Sequence, residues 1–274
     1  MKIYKIREIL EKLENCIKYK KPFSHLRFGD GGIKLLHSLY YNDREQILQI
    51  CKREGIPFEK IVYIYELWGY YARRADFIDT PQVYFDGEFW PRIKTKTKKI
   101  SEKTLERMLM WKELYYNAEF DNRNFCNPES NYLMILNNIK PNLIDIMKNR
   151  KICLITAVPQ VSSIFKKFNY DVDIFSIVGH YQNQYENSFS KVVSFISNCS
   201  TEYDLFLVAA GELGRIYTGI IKQNNGRAID IGFVVEFWNG NDLHTRLQVF
   251  MERDKDKYME LCLNEEGRKY EGAI

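Results

Sequence analysis

Asp204-Leu205-Phe206-Leu207-Val208-Ala209-Ala210-Gly211-Glu212-Leu213-Gly214-Arg215 decides how this chain folds. Six apolar residues in a row mark a strand buried on both faces, and the glycine that ends them opens a turn into a helical pattern over 213–223. A strand that runs straight into a helix is half of a βαβ unit. The same punctuation recurs on either side. Lys151-Ile152-Cys153-Leu154-Ile155-Thr156 is a second apolar run, followed by an expected helix over 159–168. Asp173 to Val178 reads as a strand, Ser188 to Ser197 as a helix, and Ala228-Ile229-Asp230-Ile231-Gly232 as a last short strand. Strands alternating with helices predict an α/β fold built on a largely parallel sheet covered on both faces.

The amino-terminal half fits this scheme less regularly. Apolar residues Ile3, Ile6, Ile9, Leu10, Leu13 and Ile17 fall at helical spacing over residues 2–19, and Lys20-Lys21-Pro22 stops that helix. Phe23-Ser24-His25-Leu26-Arg27-Phe28 reads as a strand ending at Gly29-Asp30-Gly31-Gly32, with a helix expected from Ile33 to Tyr41. Ile61-Val62-Tyr63-Ile64-Tyr65 is a second short β-rich run. Residues 91–103 carry six basic side chains and one acidic one without an apolar face, which predicts an exposed loop, with Ser101 capping a helix beyond it. Residues from about 253 read as a charged helical tail. No internal repeat or low-complexity linker interrupts the chain, so a single domain over 1–274 is expected.

Composition narrows the function classes. The chain has 274 residues, 45% hydrophobic and 28% charged, which suits a folded globular protein and excludes global disorder. Forty basic residues against 36 acidic ones leave a net charge of +4, too little to point to nucleic acid. No apolar run approaches the roughly 20 residues of a membrane-spanning helix, and the opening Met1-Lys2-Ile3-Tyr4-Lys5 lacks a signal-peptide core. An intracellular, cytoplasmic protein is expected, and self-association into a homodimer stays open. The six cysteines, Cys16, Cys51, Cys126, Cys153, Cys199 and Cys262, are widely spaced and read as buried thiols. His25, His37, His180 and His244 form no ligand pattern, and of these only His180 sits where a loop would serve a site.

Parallel sheets bind ligands beyond the carboxyl ends of their strands. Two turns there stand out. In Arg27-Phe28-Gly29-Asp30-Gly31-Gly32 the glycines let a ligand approach the backbone, Asp30 offers a carboxylate to a hard divalent cation, and Arg27 offers a partner for phosphate. The alternative is a glycine turn in which Asp30 caps the next helix. The second turn, Gly211 to Arg215, would present helix amide groups and Arg215 to an anion; a turn with no ligand is the alternative. Asp230, within an apolar strand, is costly unless paired or functional. Glu236, between Val235 and Phe237, is a candidate general base, or simply a partner for a backbone amide or an arginine.

Taken together, Arg27-Phe28-Gly29-Asp30-Gly31, Leu207-Val208-Ala209-Ala210-Gly211 and Ala228-Ile229-Asp230-Ile231-Gly232 resemble the GT-D fold glycosyltransferases of bacteria. That family has an Arg-Phe-Gly-Asp-Gly-Glu segment, a later Ala-Leu-Gly-Pro-Thr turn, and an Ala-Ile-Asp-Ile-Gly-His strand leading to an acidic-aromatic stretch, here Glu236-Phe237-Trp238. The order and spacing agree over about residues 20–240. The resemblance implies a single Rossmann-like domain and hexosyl transfer from a nucleotide-sugar donor such as a UDP-sugar to a glycan or glycoprotein acceptor. It implies Asp30 as metal ligand and catalytic residue, with Glu236 as acceptor base. Arg27, Gly29, Gly31, Gly211, Gly214, Arg215 and Asp230 would line the donor site. The cofactor implied is a divalent metal, Mn2+ or Mg2+, held in the family by an Asp-x-Glu pair. Gly32 replaces the second carboxylate of that pair, and Glu212-Leu213 replaces Pro-Thr. Against this stand a non-catalytic nucleotide-sugar or glycan-binding protein and a nucleotide-dependent hydrolase on a similar sheet.

Overall fold

A computed structural model describes residues 3–27, 35, 38–79, 125–126, 130–135 and 141–239. Their eight strands are β1 (Ile3–Tyr4), β2 (Phe23–Leu26), β3 (Phe77–Asp79), β4 (Phe125–Cys126), β5 (Ile152–Thr156), β6 (Val172–Ser176), β7 (Leu205–Ala209) and β8 (Arg227–Asp230). They form one sheet in the order β1-β4-β3-β2-β8-β7-β5-β6, and every pairing in it is parallel. The α/β, Rossmann-like expectation holds. β5 and β7, the continuous apolar runs, lie side by side within the sheet, and every residue of β5 is buried.

Helices cover both faces. α1 (Ile6–Lys18) turns Ile6, Ile9, Leu10, Leu13 and Ile17 onto one face of the sheet, joined there by residues of the short helices α5 (Leu143–Met147), α6 (Ser162–Lys167) and α9 (Val234–Trp238). On the other face lie α2 (Arg44–Glu54), α3 (Ile61–Ala72), α7 (Ser190–Cys199) and α8 (Gly211–Gln223). α4 (Ser130–Leu133) is a single turn. α8 is buried from Glu212 through Ile221, wedged between the sheet and α3. Among the described residues no helix is long and apolar enough to cross a membrane.

Three expectations change. The run Ile61–Tyr65 is helical, the start of α3, because its buried residues Ile61, Ile64, Trp68 and Tyr71 recur at helical spacing against α8. A β-branched run is only a weak prior when tertiary packing offers a helix a seat. The first helix starts at Ile6, since Ile3 and Tyr4 pair with Phe125 and Cys126 as a strand. The helix after Gly211 begins at that residue, two positions earlier than expected. Leu35 and residues 38–40 are helical as anticipated. The turn at 28–32, the basic loop at 91–103 with the helix after Ser101, and the tail from 253 lie outside the described residues.

Candidate functional site

In an all-parallel sheet the residues that follow the strands gather along one edge. That edge carries Arg27 after β2, Asp79 ending β3, Cys126 ending β4, Gly211 after β7 and Asp230 ending β8. β2 lies between β3 and β8, so Arg27 emerges between the strands that end in two carboxylates, Asp79 and Asp230.

Two arginines organise the centre. Arg27 Nε lies 3.8 Å from Asp79 Oδ2, and Arg215 Nε donates to the Arg27 carbonyl at 2.7 Å. Arg27, at the end of β2, therefore touches the helix that follows the second turn. Arg215 is 4% exposed, pairs with the Glu212 carboxylate one helical turn earlier, and lies 5.8 Å from the Trp68 ring centroid. Burial lowers its pKa to about 10, against the opposite pull of Asp230. Asp230 is itself held above the usual carboxylate range by burial, opposed by Arg27 and Arg215, and its Oδ1 accepts from the Gly232 amide at 3.1 Å. Positive and negative groups are thus held in a dry setting, where each acts more strongly on a ligand charge than it would in water.

Two glycines, Gly232 and Gly211, make room for side chains beside them. Gly232 has φ +48°, and a Cβ there would lie 1.6 Å from Arg27 Nη1, so the arginine fills the space a side chain would take. Gly211 has φ +54°, with its Cβ direction aimed at Glu54 Oε2, 2.7 Å away, and at His180 Cε1, 3.2 Å away. The Glu212 amide donates to Glu54 Oε2 at 3.4 Å. Arg53 Nε donates to the other carboxylate oxygen at 2.6 Å, and His180 Nδ1 faces Oε2 at 3.5 Å. The amino terminus of α8 therefore already faces a carboxylate, as its dipole favours.

On the α1 side of the same edge, His25, Asp79, Cys126 and Ser130 bring their heteroatoms together. His25 Nε2 stands 3.0 Å from Asp79 Oδ1, and the Cys126 thiol donates to that oxygen at 3.1 Å. Ser130 Oγ donates to it at 2.5 Å. His25, Asp79 and Cys126 have the spacing and chemistry of metal ligands.

Of the residues singled out in the sequence, Arg27, Gly211, Arg215 and Asp230 come together. Gly214 lies where a Cβ would be 3.3 Å from Val208 Cγ1, which lets α8 approach β7 closely. Glu236 stands half-buried on α9, whose Val234 and Val235 pack into the α1-side core. Gly29, Asp30 and Gly31 lie outside the described residues. Sequence reasoning missed Glu54, Asp79 and the His25–Cys126–Ser130 group. Asp79 had a signal, since Phe77-Ile78-Asp79 is an apolar run ending in aspartate just as β8 is. The described cysteines are buried reduced thiols, as expected.

A family model described as a GT-D fold-like domain matches residues 4–238. Among solved structures, a selenomethionine-substituted domain of unknown function 1792 is similar in fold, with a TM-score of 0.57, 14% identity, and coverage of 88% of this chain and 82% of that one. A second structure, described as a new glycosyltransferase of the same domain type from Streptococcus sanguinis, aligns over 85% of this chain and 83% of its own, at 14% identity and a TM-score of 0.48. No curated protein sequence matches significantly.

Proposed function

The chain belongs to the GT-D-like family, and from that premise we propose that it is a glycosyltransferase, a single cytoplasmic domain that moves a hexosyl group from a nucleotide-sugar donor, a UDP-sugar, to a glycan or glycoprotein acceptor. The observation that carries this reading is the pair Arg27 and Arg215, locked together at the carboxyl edge beside Asp230. Such an edge suits a ligand with a concentrated negative charge, and a nucleoside diphosphate is one.

The leaving diphosphate gains charge as the glycosidic bond breaks. Arg27 takes its phosphate oxygens, and Arg215 adds a second, buried positive charge behind it. Asp230 holds the Gly232 turn, leaving Arg27 its space. Glu236 takes the proton of the attacking acceptor hydroxyl. Mn2+ or Mg2+ prefers oxygen donors, a preference the Asp30 carboxylate meets; Asp30 would hold the ion, with Gly32 adding no ligand. When bound, the cation neutralises charge on the diphosphate.

Transfer assays with several nucleotide sugars, with and without manganese, test the proposal. Sugar transfer is expected, with metal stimulation lost in Asp30→Asn and the melting temperature nearly unchanged. Free nucleotide release without transfer would make the protein a hydrolase, and tight donor binding without turnover would make it a binding module.

A further inference from the structure

On the α1 face, just inside the edge that carries Arg27, four side chains from β2, β3, β4 and α4 converge on one point. His25 Nε2 lies 3.0 Å from Asp79 Oδ1. Cys126 Sγ lies 3.1 Å from that oxygen and 3.3 Å from His25 Nε2, and Ser130 Oγ lies 2.5 Å and 3.0 Å from the same two atoms. None of the four residues is more than 1% exposed. We propose that His25, Asp79, Cys126 and Ser130 bind a zinc-class transition-metal ion in a closed tetrahedral site, separate from the hard cation of the donor.

Hydrogen bonding alone accounts poorly for this arrangement. Three polar groups crowd Asp79 Oδ1, while Asp79 Oδ2 faces only the Arg27 guanidinium at 3.8 Å and His25 Nδ1 is buried with no hydrogen-bond partner among the described residues. A network built for hydrogen bonding would share its donors between the two carboxylate oxygens, because each buried polar atom left unpaired is costly. Lone pairs aimed at one centre are what a cation requires. The charges also balance. A thiolate and a carboxylate neutralise a dication, and a neutral imidazole and a hydroxyl complete the shell, so no net charge is buried.

Size and softness favour the same class of ion. Zinc bonds of about 2.0–2.3 Å to N, O and S imply ligand–ligand edges of about 3.3–3.7 Å in a tetrahedron. The observed separations of 2.5–3.3 Å are those of the metal-free, hydrogen-bonded cluster, and metal entry opens the closest pair, Ser130 Oγ and Asp79 Oδ1, by about 0.8 Å as their shared proton leaves. Imidazole and thiolate ligands select zinc over magnesium or manganese. Nucleophilic use of Cys126 is a poor alternative, since its sulfur belongs to a residue with no exposed surface and a nucleophile must reach its substrate. A closed shell of four protein ligands leaves no position for substrate, so the ion would be structural. It would fasten the carboxyl ends of three strands and fix Asp79, whose other oxygen pairs with Arg27 at 3.8 Å.

The test uses the full chain, purified without a polyhistidine tag. Elemental analysis should find one zinc per chain, and chelator treatment should lower the melting temperature. Exchange to cobalt(II) should give the near-ultraviolet thiolate-to-cobalt absorption, lost in Cys126→Ala and retained in Asp30→Asn. Ser130→Ala, the gentler substitution, should bind cobalt more weakly while keeping that absorption. Folded wild-type protein with negligible zinc and no cobalt absorption would overturn the assignment, as would full metal retention in Cys126→Ala. These readouts do not depend on sugar transfer, so failure of either proposal leaves the other standing.

Discussion

Gly232→Ala separates the role of a turn from the role of the arginine that rests on it. The residue has φ +48°, where a non-glycine residue costs about 1–2 kcal/mol. In a domain of this size that cost lowers the melting temperature by about 2–8 °C. The added methyl would also sit 1.6 Å from Arg27 Nη1 and 2.8 Å from its Cζ, so the guanidinium must swing away. Moving a flexible side-chain end costs little stability, but it removes the charged contact proposed between Arg27 and a donor diphosphate. That contact is worth about 1–3 kcal/mol, or about 5- to 150-fold in affinity. Calorimetric titration with UDP and manganese should therefore show Gly232→Ala as weak as Arg27→Ala. The double variant should be no weaker than Arg27→Ala alone, because both substitutions remove the same contact. Wild-type affinity in Gly232→Ala, or fully additive losses in the double variant, would refute the reasoning.

Two more predictions follow from the charges behind that turn. Arg215→Met leaves Glu212 buried without its cation and should destabilise the fold by about 3–5 kcal/mol in denaturant titrations, with partial recovery in Arg215→Met/Glu212→Gln; a loss no larger than that of an exposed substitution would count against the pairing. Asp230 has its folded pKa raised by burial, so its contribution to stability is fully present below the unfolded carboxylate range and is lost as pH rises through the raised value. The melting temperature of Asp230→Asn relative to wild type should then climb from acid to neutral pH, and a flat difference would show that the two arginines fully offset the burial.

What could be read from the sequence was what is local. β5, β7 and β8 announce themselves as apolar runs closed by turns, and α1 by its spacing, because each buries its side chains through a pattern contained within a few residues. Arg27, Gly211, Arg215 and Asp230 were legible because the end of a strand in a parallel sheet is a known address. α3 was misread at its start since its apolar residues are β-branched and aromatic, and its helical form rests on packing: a Cβ at Gly219 of α8 would lie 2.2 Å from Tyr71 Cγ. β1 and β4, two residues each, have no local signature and exist through their pairing. The group around Asp79 was hidden for the same reason. His25 and Asp79 are 54 positions apart and His25 and Cys126 are 101, so only the register of β2, β3 and β4 unites them. Glu54 meets the Glu212 amide across 158 positions.

The place of β8 has a consequence for how the molecule is made. It lies between β2 and β7, and its partner Phe23 is roughly 200 residues away from Arg227 along the chain. During synthesis the strands β2, β3 and β4 emerge early and β5, β6 and β7 later, each group with one open edge awaiting the same strand. Long-range parallel closure of this kind is slow, and it leaves unpaired edges prone to sticking until it is complete. Arg27 belongs to the first group, and Arg215 reaches it from the helix between β7 and β8. Insertion of β8 is thus the step that brings the two groups of strands onto one edge, and a chain stalled short of residue 230 would carry both arginines and most of the sheet without the strand that joins them.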